Sequence, residues 1–184
     1  GSEMCIRDSW NRGSGQIAVE PLLDYEKEGA NDWYNVPRKT LKPALIEPYV
    51  YPVAGKDVLM TTMVTPILVG GKFVGAAGSD MPLSDLSERL AKLEPVPGGR
   101  VSLLSNGGLY LANHDKARLG KKADDLPADV LARVAKGERQ VWDDGKGWAH
   151  IYTPVTVLAG TPPWSVVVSY PLSMAAAAAQ QQLY

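Results

Sequence analysis

The stretch DWYNVPRKTLKPALIEPYVYP, residues 32–52, holds one Trp and three Tyr in a chain with five Trp, eight Tyr and one Phe. Pro37, Pro43, Pro48 and Pro52 break it, so it reads as a loop-rich segment, where binding groups are often placed. The competing reading is a satellite packing cluster. Other residues able to do chemistry are sparse. His114 and His150 are the two histidines, 36 residues apart, and form neither a metal-binding spacing nor a triad. His114, after Asn113 at a strand end, reads as a loop polar residue. The VGGK turn lacks the glycine–lysine–serine pattern of a phosphate loop. Asp124–Asp125 and Asp143–Asp144 are adjacent pairs whose side chains diverge in any regular conformation, which makes them solvated turns rather than acid–base pairs. With no nucleophile–base pair, the chain is not expected to be an enzyme, and no cofactor is implied.

The elements that must position these groups belong to an ordinary globular chain. Its 184 residues are 45% hydrophobic and 21% charged, with a net charge of −1. That composition supports a sizeable core. It supplies no field to recruit nucleic acid or anionic lipid. No apolar run reaches the ~18 residues of a membrane span; WSVVVSYPLSMAAAAA, residues 164–179, is interrupted by Ser165, Ser169, Tyr170, Pro171 and Ser173. Cys5 is the single cysteine, which rules out an intrachain disulfide and a Cys metal cluster. It lies in EMCIRDS, residues 3–9, which resembles the translation of a sequencing adapter found on fragmentary metagenomic proteins, after a GS cloning scar. Residues 1–9 are therefore read as a tail, and the natural sequence is expected to start near Trp10 with part of its N-terminus missing.

Periodicity and turn chemistry give an element order. EPLLDYEKEGANDWYNVPRKT, residues 20–40, reads as a short helix and a turn, and YVYPV as a short extended run. Val58–Leu68 and Phe73–Ala77 flank the VGGK turn as a β-hairpin. PLSDLSERLAKLE, residues 82–94, places Leu83, Leu86, Leu90 and Leu93 at helical spacing. PVPGG, residues 95–99, is a composition break. Beyond it, RVSLLSNGGLYLANHD reads as strand, Asn-Gly turn and strand. A helix ending at Gly137 follows, then three more strands with a turn at Asp143–Gly147. SMAAAAAQQQLY has high helix propensity and begins an exit helix. The fold class is α+β: two modules, each an antiparallel sheet with helices, at 10–94 and 95–173, followed by the exit helix at 174–184.

Taken together, the DWY motif, the Tyr-rich segment, TPILVGGKFVGAAGSDMPLSDLSERL and the second module opening GRVSLLSNGGLYLANHD resemble a double Cache domain. The resemblance covers residues 15–175, and its specific part is the Trp-Tyr pair followed by the strand end GAAGSDM. It implies the extracytoplasmic, periplasmic sensor portion of a membrane-anchored bacterial chemoreceptor or sensor kinase. Two PAS-like modules are stacked after a long N-terminal helix, and the membrane-distal module binds the ligand. The long helix has no counterpart here. Its loss is expected to expose apolar surface and favour a homodimer.

In the amino-acid-sensing branch of that family, a Tyr, an Arg two residues before the Trp, and the Trp itself hold the ligand carboxylate. A second Tyr, an Asp two residues later and the strand-end Asp hold the ammonium. Here the Trp is Trp33 and the Arg position is Asn31. The amine-side Tyr is Tyr49, the following Asp position is Tyr51, and the strand-end Asp is Asp80. Tyr25 stands for the first Tyr, one residue further from Trp33 than the pattern. Without the Arg the site loses its bidentate carboxylate clamp. Tyr51 replaces an acceptor of N–H donors with a π-face.

Walls from Trp33, Tyr49 and Tyr51, together with Tyr34, and one carboxylate suit a cation without N–H donors. Methylated ammonium over aromatic faces gains ~0.5–2 kcal/mol per contact. With methyl burial, a site of this make-up gives on the order of −8 kcal/mol, or micromolar binding. The expected ligand is a small amine, a quaternary ammonium compound such as choline or glycine betaine. Arg38 and backbone amides near Asn31 are candidates for a betaine carboxylate. The alternatives are a sensor of another metabolite such as an amino acid, and a ligand-free dimerisation module.

Overall fold

The computed structural model describes residues 8–11, 15–22, 25 and 31–174. They form two compact units that divide between Asp80 and Met81. The expected tail at 1–9 lies largely outside the described residues, as do residues 175–184 of the expected exit helix. No helix among the described residues is long and apolar enough to cross a membrane.

The first unit opens with strands β1 (Asp8–Asn11) and β2 (Ala18–Pro21), paired antiparallel with Trp10 opposite Val19. Helix α1 (Asp32–Thr40) follows. It begins within the aromatic stretch that the sequence reads as loop-rich. Pro37 is tolerated inside it, and Leu41, at a φ of 56°, ends it with its N–H on the Pro37 carbonyl. Strands β3 (Ala44–Val53), β4 (Lys56–Val69) and β5 (Lys72–Pro82) make a three-stranded sheet in sequence order. The expected hairpin is therefore β4–β5. Both residues of its turn, Gly70 and Gly71, have positive φ (56° and 78°), the condition for a type I′ turn that matches strand twist. In β3 the register with β4 shifts between Ile46 and Tyr49, at Glu47–Pro48, so Pro48 sits where the ladder is interrupted.

In the second unit, α2 (Leu83–Leu90) packs on β6 (Arg100–Leu104) and β7 (Tyr110–Ala112). Ser87 Oγ donates to the Asn113 carbonyl at 2.8 Å, and Leu83 is fully buried. This packing is why the division falls ahead of the helix, earlier than the composition break at 95–99. The helix stops at Leu90, which leaves Leu93 of the expected periodic set beyond its end and exposed. A single 3-10 turn (Lys116–Arg118) and α3 (Ala128–Ala135) lead to β8 (Gln140–Asp143), β9 (Trp148–Val155) and β10 (Trp164–Pro171). All five strands form one antiparallel sheet in the order β7-β6-β10-β9-β8. The first strand of the unit thus lies beside its last. Leu104, Tyr110, Tyr152 and Val167 of the sheet pack with Val130 and Val134 of α3 and with Ala123 to form the core. Two α+β units, each with an antiparallel sheet and few helices, are the architecture the sequence predicts.

Candidate functional site

The aromatic residues of the first unit fall into two groups. Tyr34 of α1 is the centre of the first. Its ring meets Tyr25 at 4.8 Å, Phe73 at 5.4 Å and Trp33 at 5.8 Å, all edge to face. This is the geometry of favourable aromatic packing. The Arg38 guanidinium lies 5.9 Å from the Tyr34 ring centroid, a cation–π contact. Trp33 is oriented from its polar edge, where its indole Nε1–H donates to Asn31 Oδ1 at 3.2 Å. Asn31 is buried, and its carbonyl accepts the amides of Tyr34 and Asn35. The residue in the family's Arg position therefore anchors the start of α1 and the Trp33 ring.

The second group crosses all three strands of the sheet. Tyr49 and Tyr51 are two residues apart on β3 and share a face, opposite Met60 and Val58 of β4. Their ring centroids are 6.4 Å apart at 74°. The Tyr49 hydroxyl lies 2.6 Å from Thr62 Oγ1, and Thr62 Oγ1 donates to Asp80 Oδ1 of β5, also at 2.6 Å. Thr62 has one proton and gives it to the carboxylate, so Tyr49 must be the donor to Thr62. Burial, followed by the Asp80 charge, pushes the Tyr49 hydroxyl above its ordinary value despite the Thr62 bond. Burial, then Asp80 and Glu20, pushes Tyr51 the same way. Both phenols stay neutral, and the fixed charge of this trio is the exposed Asp80 carboxylate.

Thr62 is the connection that sequence reasoning missed, because the contact depends on strand register and has no local motif. Phe73, the single phenylalanine, was missed as a ring partner for the same reason. Gly78 explains part of the GAAGSDM strand end. A Cβ at Gly78 would stand 2.9 Å from the Met63 carbonyl oxygen and 3.3 Å from Thr62 Cγ2. Absence of that Cβ lets β5 approach β4 closely enough for the Thr62–Asp80 bond. Gly78→Ala is expected to destabilise the first unit by about 1–3 kcal/mol through overpacking, measured by urea denaturation, and to disturb the Thr62–Asp80 bond.

The second unit contains a cavity of about 350 Å³ that the sequence reading did not anticipate. His114 and His150, expected to have no joint role, both line it. Asp143–Asp144 is only partly the solvated turn expected. The Asp144 side chain is 17% exposed and lies 3.8 Å from His150 Nε2. Burial opposes the Asp144 charge, but the amides of Lys146 and Trp148, at 2.7 and 3.0 Å, and His150 outweigh it and hold its pKa below the usual range. Asp125 is likewise no free turn residue: it accepts from both terminal nitrogens of Arg118.

His114 is held below its ordinary value by burial and then by Arg100; His150 by burial, against the pull of Asp144. Below the ordinary value of 6.5 the unfolded chain takes up protons that the folded unit resists. This contribution to stability is complete above that pH and is lost as pH falls through the folded values. The melting temperature of the second unit is therefore expected to fall as the pH drops below about 6.5. Asp125 and Asp144, depressed below 3.8, add to the loss only in stronger acid.

Comparison with known proteins places this arrangement in a class. Residues 8–88 match the family described as the methyl-accepting chemotaxis protein-like first PDC sensor domain. The chain has the fold of an extracytoplasmic ligand-binding sensor domain of the chemoreceptor type. Over 176 residues it is 30% identical to the methyl-accepting chemotaxis protein TlpQ of Pseudomonas aeruginosa PAO1, covering 86% of this chain and 24% of TlpQ. It superposes on the extracellular domain of mmHK1S-Z3, described as a histidine kinase, with a TM-score of 0.78 and 27% identity, over 94% of this chain and 64% of that one. The ligand-binding domain of P. aeruginosa PctB in complex with L-Gln shares the fold, with a TM-score of 0.62 and 24% identity over 90% of this chain and 68% of that one. The chain thus spans about a quarter of TlpQ.

Proposed function

We propose that the first unit binds a small amine, of quaternary ammonium type, and that its occupancy is the signal read by a membrane-anchored chemotaxis or kinase receptor. The observation that carries this reading is the Tyr49–Thr62–Asp80 chain with Tyr51 beside it. It sets one fixed carboxylate next to two neutral phenol rings. Thr62 spends its proton on Asp80, and the exposed carboxylate keeps acceptor capacity and charge for a cation. Methyl groups on nitrogen leave no N–H donors to satisfy, so ring faces and a diffuse negative field serve better than directed acceptors. Trp33, whose indole N–H is held by Asn31 within the Tyr34 group, is taken in this reading as a further wall. The fixed charge set beside Tyr49 and Tyr51 is the Asp80 carboxylate, which favours choline over glycine betaine. Ligand binding can shift a receptor only by its differential affinity for two states; closure of rings around the methyls supplies such a difference.

Calorimetric titration with choline, glycine betaine and an unmethylated amino acid tests this reading, on this chain and on Trp33→Ala. Saturable heat is expected from the methylated compounds alone, strongly reduced by the substitution. Heat from the amino acid alone would replace the amine reading with an amino-acid sensor.

A further inference from the structure

We propose that the cavity of the second unit is a separate binding site for a small monocarboxylate with an apolar body, and that Arg100 is its counter-ion. This does not rest on the amine site, since every residue it uses lies in the second unit. At about 350 Å³ the space falls within the range of small-molecule pockets. Its fixed charges are Arg100, Arg118 and Lys146 against Asp125 and Asp144, an excess of one cation.

Both acids are already committed. Arg118 lies over the Tyr110 ring, 4.6 Å from its centroid, and donates through two nitrogens to Asp125, which also accepts the Tyr110 hydroxyl at 3.2 Å. Asp144 takes the backbone amides of Lys146 and Trp148 and faces His150. Arg100, by contrast, has no carboxylate partner among the described residues. Its guanidinium is nevertheless held in place: it sits 4.9 Å from the Trp148 ring centroid, and NH1 lies 3.2 Å from His114 Nε2. Arginine only donates, so His114 must accept at Nε2 and is the neutral tautomer with its proton on Nδ1. One terminal nitrogen is thereby engaged, and the remaining donors stay available to a carboxylate.

The rest of the cavity sets the size and polarity of the ligand. Leu104, Tyr152 and Val167 form an apolar floor, and Trp142, stacked on His150 at 5.2 Å and 25°, closes a flat wall. A dianion such as phosphate or succinate would exceed the single surplus cation of the cavity. A single carboxylate on a small apolar or aromatic body matches the one surplus cation and the floor.

Benzoate and butyrate are the probes, with succinate and inorganic phosphate as controls. They would be titrated by calorimetry into this chain and into Arg100→Gln, Arg100→Lys and Trp33→Ala. Saturable binding of a monocarboxylate is expected, at least about tenfold weaker in Arg100→Gln, partly recovered in Arg100→Lys and unchanged in Trp33→Ala. Far-UV circular dichroism matching the parent chain shows that the Arg100 variants are folded. The proposal is overturned if neither monocarboxylate saturates, if the dianions bind more tightly, or if folded Arg100→Gln or Arg100→Lys binds like the parent.

Discussion

Asp80→Asn is expected to weaken choline binding by roughly tenfold, or ~1.4 kcal/mol, and to remove most of its dependence on ionic strength. Asparagine is nearly isosteric, and its Oδ1 can still accept the Thr62 hydroxyl that now lies 2.6 Å from Asp80. The strand-to-strand connection through Tyr49, Thr62 and position 80 is kept, and the charge alone is removed. Asp80 is exposed, so water and salt screen it and the full low-dielectric attraction does not apply. A loss near tenfold, with the Tyr49 and Tyr51 rings of the proposed site keeping the remainder, is what that screening leaves. Calorimetric titrations of the parent and Asp80→Asn at low and physiological salt would check it. Equal affinities at both salt concentrations would remove Asp80 from the site.

Leu104→Ala is expected to destabilise the second unit by about 2–5 kcal/mol. Leu104 is fully buried and packs with Tyr110, Val130, Val134, Tyr152 and Val167, so it joins the sheet to α3. Truncation loses both the transfer free energy of the side chain and the contacts of the residues around the hole. Leu104 also forms part of the floor of the cavity, so the substitution would enlarge that space as well. Hydrogen exchange is the suitable measurement, because it reports each unit of a two-unit chain separately. Amides of β6, β9 and β10 should lose protection, while those of β3 and β4 keep theirs. A uniform loss across both units would show that they unfold as one.

Local chemistry accounts for most of what could be read in advance. Gly70–Gly71 announced the β4–β5 hairpin because positive φ at two successive residues is a backbone requirement visible in residue type. The Asn-Gly turn and the turn at Asp143–Gly147 likewise marked out the segments that form β6, β9 and β10. Leu83 and Leu90 marked α2, although the unit to which that helix belongs depended on Ser87 reaching the Asn113 carbonyl, a contact between residues distant in sequence. The opening of the aromatic stretch was less legible. Its prolines suggested a loop, but Pro37 is accommodated in α1, where tertiary contacts of Tyr34 with Phe73 and Tyr25 outweigh weak local propensity.

The sequence by itself determined the two-unit α+β layout and the hairpins, and its resemblance to a double Cache domain singled out Trp33, Tyr49, Tyr51 and Asp80, with Asn31 in place of an Arg, as the residues proposed to meet a ligand. The layout and the hairpins follow from turn chemistry and periodicity, which act over a few residues. Tertiary structure alone decided how those residues are grouped. Strand register brought Tyr49, Thr62 and Asp80 into one chain of hydrogen bonds, and helix packing gathered Tyr34 with Trp33, Tyr25 and Phe73. In the second unit it carried Arg100, His114, Asp144 and His150 to one cavity from four separate places in the chain. Contacts of this kind are made across strands and between elements, where no local spacing records them.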